Sequence, residues 1–316
     1  MQAEQTLLVS GAQKVLSQVR RAVVGKDQVL LWVLAAILAK GHILIEDIPG
    51  VGKTTMALAF SRTLGLRCNR MQFTPDVLPS DVTGYCVLQN GGAPVYRPGA
   101  VLCNLFLADE LNRATSRTQS ALLEAMEEGQ VTVDGQTHPL PMPFTVIATQ
   151  NPTGAAGTQL LPDSQLDRFI VRLQLGYPSA RDEIAMVTGR QGQDPLQSLT
   201  PVLSAETLQR LQQQVADTSV SAEVIAYVVE LIGATREHRE ILQGASPRAT
   251  LAVIAMSKAI AQLRGRDFVT PRDVQEVLIP TLAHRLVLSP KTVGQNRSAE
   301  VLLQEILRQV AAPKLR

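Results

Sequence analysis

The sequence predicts an α/β fold in which a parallel sheet carries a phosphate-binding loop and a separate helical region follows. Three observations predict it. His42–Thr55 reads as a short apolar strand, a loop with Pro49, Gly50 and Gly52, and the start of a helix with Lys53 and Thr54. Strands then alternate with helical segments to about residue 175, the pattern of parallel strands joined by crossovers. After a polar stretch at 191–201 with two prolines, every periodic segment is helical.

Leu7, Leu8, Val15, Leu16, Val19 and Val23 fall at helical spacing, so residues 4–23 predict a first helix. Val24-Gly25 interrupts it, and Lys26–Lys40 resumes as a nearly all-apolar helix suited to burial against a sheet. Ile43–Glu46 is the strand before the loop, the next helix runs to Leu64, and Arg70–Phe73 is a second strand. Thr74–Val101 is rich in breakers, and Tyr85–Leu88 with Pro94–Tyr96 predicts a hairpin round Asn90-Gly91. Leu102–Ala108 is a buried strand ending in Asp109-Glu110, and Arg117–Glu128 is an amphipathic helix. Asp134-Gly135 joins 130–133 to 136–140 in a second hairpin. Phe144–Thr149 is a strand ending in Gln150-Asn151, and Leu166–Phe169 leads into a strand at 170–175. Helices are predicted at 204–216, 221–242, 247–264, 271–287 and 297–311. Thr270-Pro271-Arg272-Asp273 combines a capping threonine, a first-position proline and an acid three residues on. Ser246-Pro247-Arg248 also opens a helix, and the dipole opposes a cation in a first turn, so Arg248 is expected to have a partner elsewhere.

Composition narrows the function. The net charge of +2 and 3% aromatic content supply neither the basic stripe nor the stacking platforms of a nucleic-acid binder. Cys68, Cys86 and Cys103 have no metal-ligand spacing and suggest no disulfide framework, which fits a reducing cytoplasm. The longest uncharged apolar run, residues 29–39, is too short to span a bilayer, so a soluble protein without membrane insertion is expected.

The chemistry starts at the glycine loop, whose backbone N–H groups can close round an anion while the helix N-terminus adds partial positive charge. Lys53 would reach the β- and γ-phosphates and the Thr54 hydroxyl would bind Mg²⁺. The full loop pattern has glycine at position 47, where this chain has Asp47. Carboxylates just past a core strand sit at the sheet's carboxyl edge, where open α/β folds bind ligands. Asp109 would there hold Mg²⁺, directly or through water, and Glu110 would orient and deprotonate the attacking water. Two acids capping the next helix is the blander alternative, which the upstream loop outweighs. Asn151 lies at the same edge and can reach a γ-phosphate or the water.

Taken together, IEDIPGVGKT (45–54), LADELNRA (107–114), TQSALLEAMEEGQVTVDG (118–135), IATQNP (147–152), LPDSQLDRF (161–169), GASPRA (244–249) and GRDFVTPRDV (265–274) carry a resemblance to the MoxR family of AAA+ ATPases. It runs from about Val24 to Leu286. The resemblance implies an AAA+ core with a five-stranded parallel sheet over 1–190, with the helix-2 insert at about 75–100 and a hairpin before sensor-1 at about 130–140. A linker at 191–203 and an all-helical lid domain at 204–316 complete it. It implies ATP and Mg²⁺ as cofactors, with Val24, Gly25, Pro49, Gly50, Val51, Gly52, Lys53, Thr54 and Thr55 at the nucleotide and Val24-Gly25 against adenine. Thr54 and Asp109 would hold the metal. Glu110, Asn151 as sensor-1, Arg168 as a trans-acting arginine finger and Arg248 as sensor-2 would be catalytic, with Arg113 and Arg117 also near the presumed subunit interface. Family members resemble ring-forming, chaperone-like ATP-hydrolysing motors, by implication hexamers, that remodel, assemble or activate partners. Those partners often include a protein with a von Willebrand factor A domain. A chelatase-type motor for metal insertion and a nucleic-acid remodelling ATPase are the alternatives. A non-hydrolysing switch is disfavoured by Glu110 and Asn151.

Overall fold

The computed structural model describes residues 2–48, 50–88, 94–151, 161–189 and 194–314. The chain opens with helices α1 (Gln2–Ala22) and α2 (Asp27–Leu38), then strand β1 (Ile43–Glu46), helix α3 (Lys53–Thr63) and strand β2 (Cys68–Gln72). A short helix α4 (Pro79–Thr83) leads into the hairpin β3 (Gly84–Leu88) and β4 (Pro94–Pro98), whose turn lies outside the described residues. Strand β5 (Leu105–Asp109), helix α5 (Ser116–Glu128), hairpin β6 (Gln130–Val133) and β7 (Gln136–Pro139), and strand β8 (Thr145–Gln150) follow. Helix α6 (Asp163–Leu166), strand β9 (Val171–Leu173) and helix α7 (Ala180–Gly189) come next. The rest is helical: α8 (Ala205–Ala216), α9 (Ala222–Glu237), α10 (Pro247–Leu263), α11 (Pro271–Leu282), α12 (Pro290–Gly294) and α13 (Ala299–Gln309), with a small ladder of β10 (Ile241–Gln243) and β11 (Val287–Leu288).

The central sheet has the order β2-β5-β8-β1-β9, and all of its pairs are parallel. Every residue of β5 and β8 is buried, as covering both faces of a parallel sheet requires. One core cluster takes α1, α2, α3 and the helical region together with β1 and β9 residues, including Phe60, Leu34 and Ile45. Another lies beneath α5 and the hairpins, with Phe73, Phe106, Leu122 and Val131. The two hairpins touch through Tyr96 and His138, whose rings stack with centroids 3.7 Å apart.

Several elements differ from the sequence reading, among them β2, which runs Cys68–Gln72 where the sequence predicts 70–73. β5 begins at Leu105, because the Asn104 side chain and backbone are engaged with Arg67 at the turn. β9 ends at Leu173, and just beyond it the backbone N–H groups of Leu175 and Gly176 go to the Asp47 carboxylate instead of a ladder. α9 stops at Glu237 and α11 at Leu282, and the tails beyond them pair as β10 and β11. α7, α4, α6 and α12 carry no long periodic signal.

His42 sits at the amino end of the sheet. Its Nδ1 accepts from the Val146 N–H at 3.0 Å, so the other ring nitrogen carries the proton and donates to Met126 O at 3.0 Å. Burial pushes its pKa from 6.5 down to about 4, and burial likewise holds His284 well below its usual value. Both imidazoles titrate lower when folded, so the unfolded chain takes up the proton first as the pH falls. The contribution of His42 is therefore complete above about pH 6.5 and is lost toward pH 4, by about 3 kcal/mol, and that of His284 likewise falls as the pH drops below 6.5. The melting temperature is expected to fall between pH 7 and pH 5, a window in which ordinary carboxylates stay ionised. A flat melting curve across that window would contradict this.

Candidate active site

The carboxyl edge of the sheet gathers the loop and its neighbours. Gly50 and Gly52 have φ of 87° and 94°, with open space where a side chain would project. Only glycine takes this backbone without strain, and the missing Cβ leaves the loop amides free to approach a phosphate. Val51, between them, packs partly against the core, Pro49 lies outside the described residues, and Thr54 and Thr55 occupy the first turn of α3. Gly25 sits against the Asp182 carboxylate at the head of α7, and the Lys26 ammonium donates to Tyr177 O at 2.8 Å. Val24 is half-buried beside it.

Asp47 replaces a loop glycine with an anchor. One carboxylate oxygen accepts from the N–H groups of Leu175 and Gly176, each at 2.6 Å, and the other from the Ile48 N–H at 2.8 Å. The loop is thereby tied to the segment after β9. Lys53 is buried and folds back onto the loop, donating to Asp47 O at 2.7 Å and Ile48 O at 3.1 Å. Burial lowers its pKa, and the nearby Asp47, Asp109 and Glu110 pull it back up. Asp47→Asn keeps the shape but leaves one acceptor oxygen in place of two. It removes the charge from these hydrogen bonds, each of the kind worth roughly 1.5–3 kcal/mol, and sets an amide NH₂ against at least one backbone N–H. A melting temperature lower by several degrees and weaker ATP binding in calorimetry are expected. Wild-type values for both would remove Asp47 from this account.

Asp109 ends β5 with 5% exposure. Its oxygens lie 3.4 Å from the Thr54 hydroxyl and 3.4 Å from the Thr149 hydroxyl, and Arg70 Nε donates to it at 2.6 Å. Glu110 has φ 55°, a left-handed conformation uncommon for a side-chain-bearing residue and frequent at functional sites. The Glu110 N–H donates to the Thr149 hydroxyl at 2.9 Å. Its carboxylate accepts from Asn151 Nδ2 at 3.3 Å and Arg113 Nη1 at 2.8 Å. The structure thus brings Lys53, Thr54, Asp109, Glu110 and Asn151 to one edge and adds Arg70 and Thr149, which the sequence reading did not single out. Arg70 carries a usable signal, a lone cation in a strand beside the one that bears Asp109.

Arg168 and Arg248 are elsewhere. Arg168 precedes β9 and so lies at the amino edge, at the opposite end of the parallel strands from the loop. Arg248, in the first turn of α10, joins it there, and both donate to the Glu127 carboxylate at the end of α5. They line a cleft of about 320 Å³ that also includes Lys40, His42, Asp167 and Arg285. Arg285 has 3% side-chain exposure and pairs with Asp167 at 3.0 Å, and its Nη2 donates to Phe169 O at 2.8 Å. Burial draws its pKa down to about 10. His284 shares that carbonyl at 2.9 Å, and the Ser246 hydroxyl donates to Asp167 at 3.0 Å. The helical region therefore holds the Asp167–Phe169 segment through Ser246, His284 and Arg285. Arg113 is occupied by Glu110, on the loop side.

The model of the ATPase family associated with various cellular activities (AAA) matches residues 42–171, and that of the AAA lid domain matches residues 233–306. The chain is 40% identical over 313 residues to Chaperone MoxR1 of Mycobacterium tuberculosis, covering 96% of this chain and 82% of the relative. It is 44% identical over 301 residues to the uncharacterized protein YeaC of Bacillus subtilis, covering 95% and 94%. A candidate ATPase from Cytophaga hutchinsonii, solved by crystallography, superposes with a TM-score of 0.91 at 33% identity, covering 99% of this chain and 98% of that one. With a five-stranded parallel sheet, a helical C-terminal region and these relatives, the chain belongs to the MoxR family of AAA+ ATPases.

Proposed function

We propose that this protein is a Mg²⁺-dependent, ring-forming ATPase motor with a chaperone-like role, remodelling or activating protein partners. The observation that carries the reading is the division of charge between two edges of the sheet. Lys53, Thr54, Asp109, Glu110 and Asn151 gather at the carboxyl edge, while Arg168 and Arg248 stand at the amino edge, the opposite end of the parallel strands. A ring makes sense of that division, because it sets one subunit's arginines against the next subunit's nucleotide.

In this reading Lys53 turns from the loop carbonyls to the terminal phosphates. Glu110 accepts a proton from water as the water oxygen bonds to the terminal phosphorus and the bond to ADP breaks. Asn151 orients Glu110 and the water, and the neighbour's Arg168 and Arg248 meet the charge on the transferring group. The Thr54 hydroxyl and the buried Asp109 carboxylate, 3.4 Å apart, fit Mg²⁺, which takes few protein ligands and completes its shell with phosphates and water. Bound there, Mg²⁺ would neutralise phosphate charge. The stacked hairpins would carry the motion to a client, and a von Willebrand factor A domain protein is the partner the family resemblance suggests. The name of the Mycobacterium tuberculosis relative supports the chaperone-like role. No described helix is long and apolar enough to cross a membrane, and a cytoplasmic site of action is part of the proposal.

The test is ATP turnover per subunit against subunit concentration. Turnover per subunit is expected to rise with concentration to a plateau and to vanish when Mg²⁺ is chelated. Turnover that is constant per subunit down to the monomer, or that survives chelation, would overturn the proposal.

A further inference from the structure

Glu127 is the carboxylate on which Arg168 and Arg248 converge, one oxygen to each. Arg285 is matched by Asp167, so Glu127 alone faces two guanidinium groups and the cluster keeps a positive excess. The hydrogen bond from Arg248 holds the Glu127 carboxyl below its usual range.

Three features argue that the cluster is not there for stability. The side chains of Arg168, Arg248 and Glu127 are 30%, 45% and 37% exposed, and ion pairs at such exposure are worth about 1 kcal/mol or less. Glu127 is an anion in the last turn of α5 and Arg248 a cation in the first turn of α10, so each helix dipole opposes its own charge. Both arginines also line the open cleft.

The supports, by contrast, are built rigidly. Buried Arg285 and His284 hold the Phe169 carbonyl, and buried His42 holds the Met126 carbonyl next to Glu127. Fixed mounts, a weakly held carboxylate and two forked donors facing an open cleft describe an anion site whose tenant is replaceable.

We propose that Glu127 is a placeholder counter-charge that holds Arg168 and Arg248 together in the lone subunit, and that the terminal phosphates of a nucleotide on a second copy of this chain displace it from them. The proposal rests on the reading that Arg168 acts between subunits. In the lone subunit the carboxylate keeps the two guanidinium groups from repelling one another and tethers α10 to α5. In the ring the phosphates take over as counter-charge and Glu127 is released. Assembly therefore works against the Glu127 contacts.

Glu127→Gln keeps the shape and removes the charge. Its half-maximal subunit concentration for ATP turnover should be lower than that of wild type by roughly fivefold, the scale of one exposed charge contact. In the Arg168→Ala/Arg248→Ala background, sedimentation with ATP should show no such gain in assembly. An unchanged or higher midpoint, or a gain that persists without the arginines, would overturn the proposal. Sulfate supplies an arm that needs no assembly. It should raise the melting temperature of monomeric Glu127→Gln more than that of wild type, and the excess should disappear with the two arginines. Equal sulfate stabilisation would overturn the anion site itself. If the sulfate arm holds while subunit mixing shows no action in trans, the inter-subunit reading fails and the anion site stands.

Discussion

Replacing Arg168 with alanine is expected to lower ATP turnover by roughly 10³–10⁵, the range for an arginine that meets charge on a transferring phosphoryl group. ATP binding should change little, because the side chain lies at the amino edge, beside Glu127 and the Leu123 carbonyl at 3.2 Å. The fold should tolerate the change. Arg168 is partly exposed, and the segment around it is held by Arg285, His284 and Ser246 instead. If Arg168 were a structural partner of Glu127 alone, the variant would lose a little stability and keep its turnover. Steady-state hydrolysis at saturating subunit and ATP, alongside a melting curve, separates the two.

Glu110→Gln should lower turnover by roughly 10²–10⁴, the scale of general base catalysis, while ATP stays bound. The amide preserves the contacts of Glu110 with Asn151 and Arg113 in part, but it cannot accept the proton of the attacking water. Asn151, also an amide, cannot substitute. The left-handed backbone at Glu110 is kept by the Thr149 hydroxyl and does not depend on the side-chain charge, so the variant should fold. A calorimetric ATP affinity near wild type with hydrolysis lost is the expected pair of results. Retained hydrolysis would move the base elsewhere.

Much of this site was legible in the sequence because local patterns carry it. A strand, two glycines, Lys53 and Thr54 specify the loop within a few residues, and Asp109, Glu110 and Asn151 follow apolar runs that can only be core strands. What stayed hidden depends on pairs far apart in the chain. Asp47 looked like a departure from the loop pattern, and two of its three partners are 128 and 129 residues away. No periodicity announces a carboxylate that captures backbone N–H groups, and the same capture lies just beyond the end of β9. Arg248 was half legible: the helix dipole called for a partner, but nothing local pointed to Glu127, 121 residues distant. The pairing of β10 with β11 escaped for the same reason, since three residues and two residues carry no alternation to detect.

The central claim, that one subunit's arginine completes another subunit's ATP site, is tested most directly by mixing two inactive variants. Glu110→Gln and Arg168→Ala subunits should each be nearly inactive alone. Co-assembled and confirmed as mixed rings by a tag pull-down, they create some interfaces where an intact Glu110 meets a neighbour's intact Arg168, and hydrolysis should return well above either parent. Mixed rings that hydrolyse ATP no faster than the parents would contradict the claim.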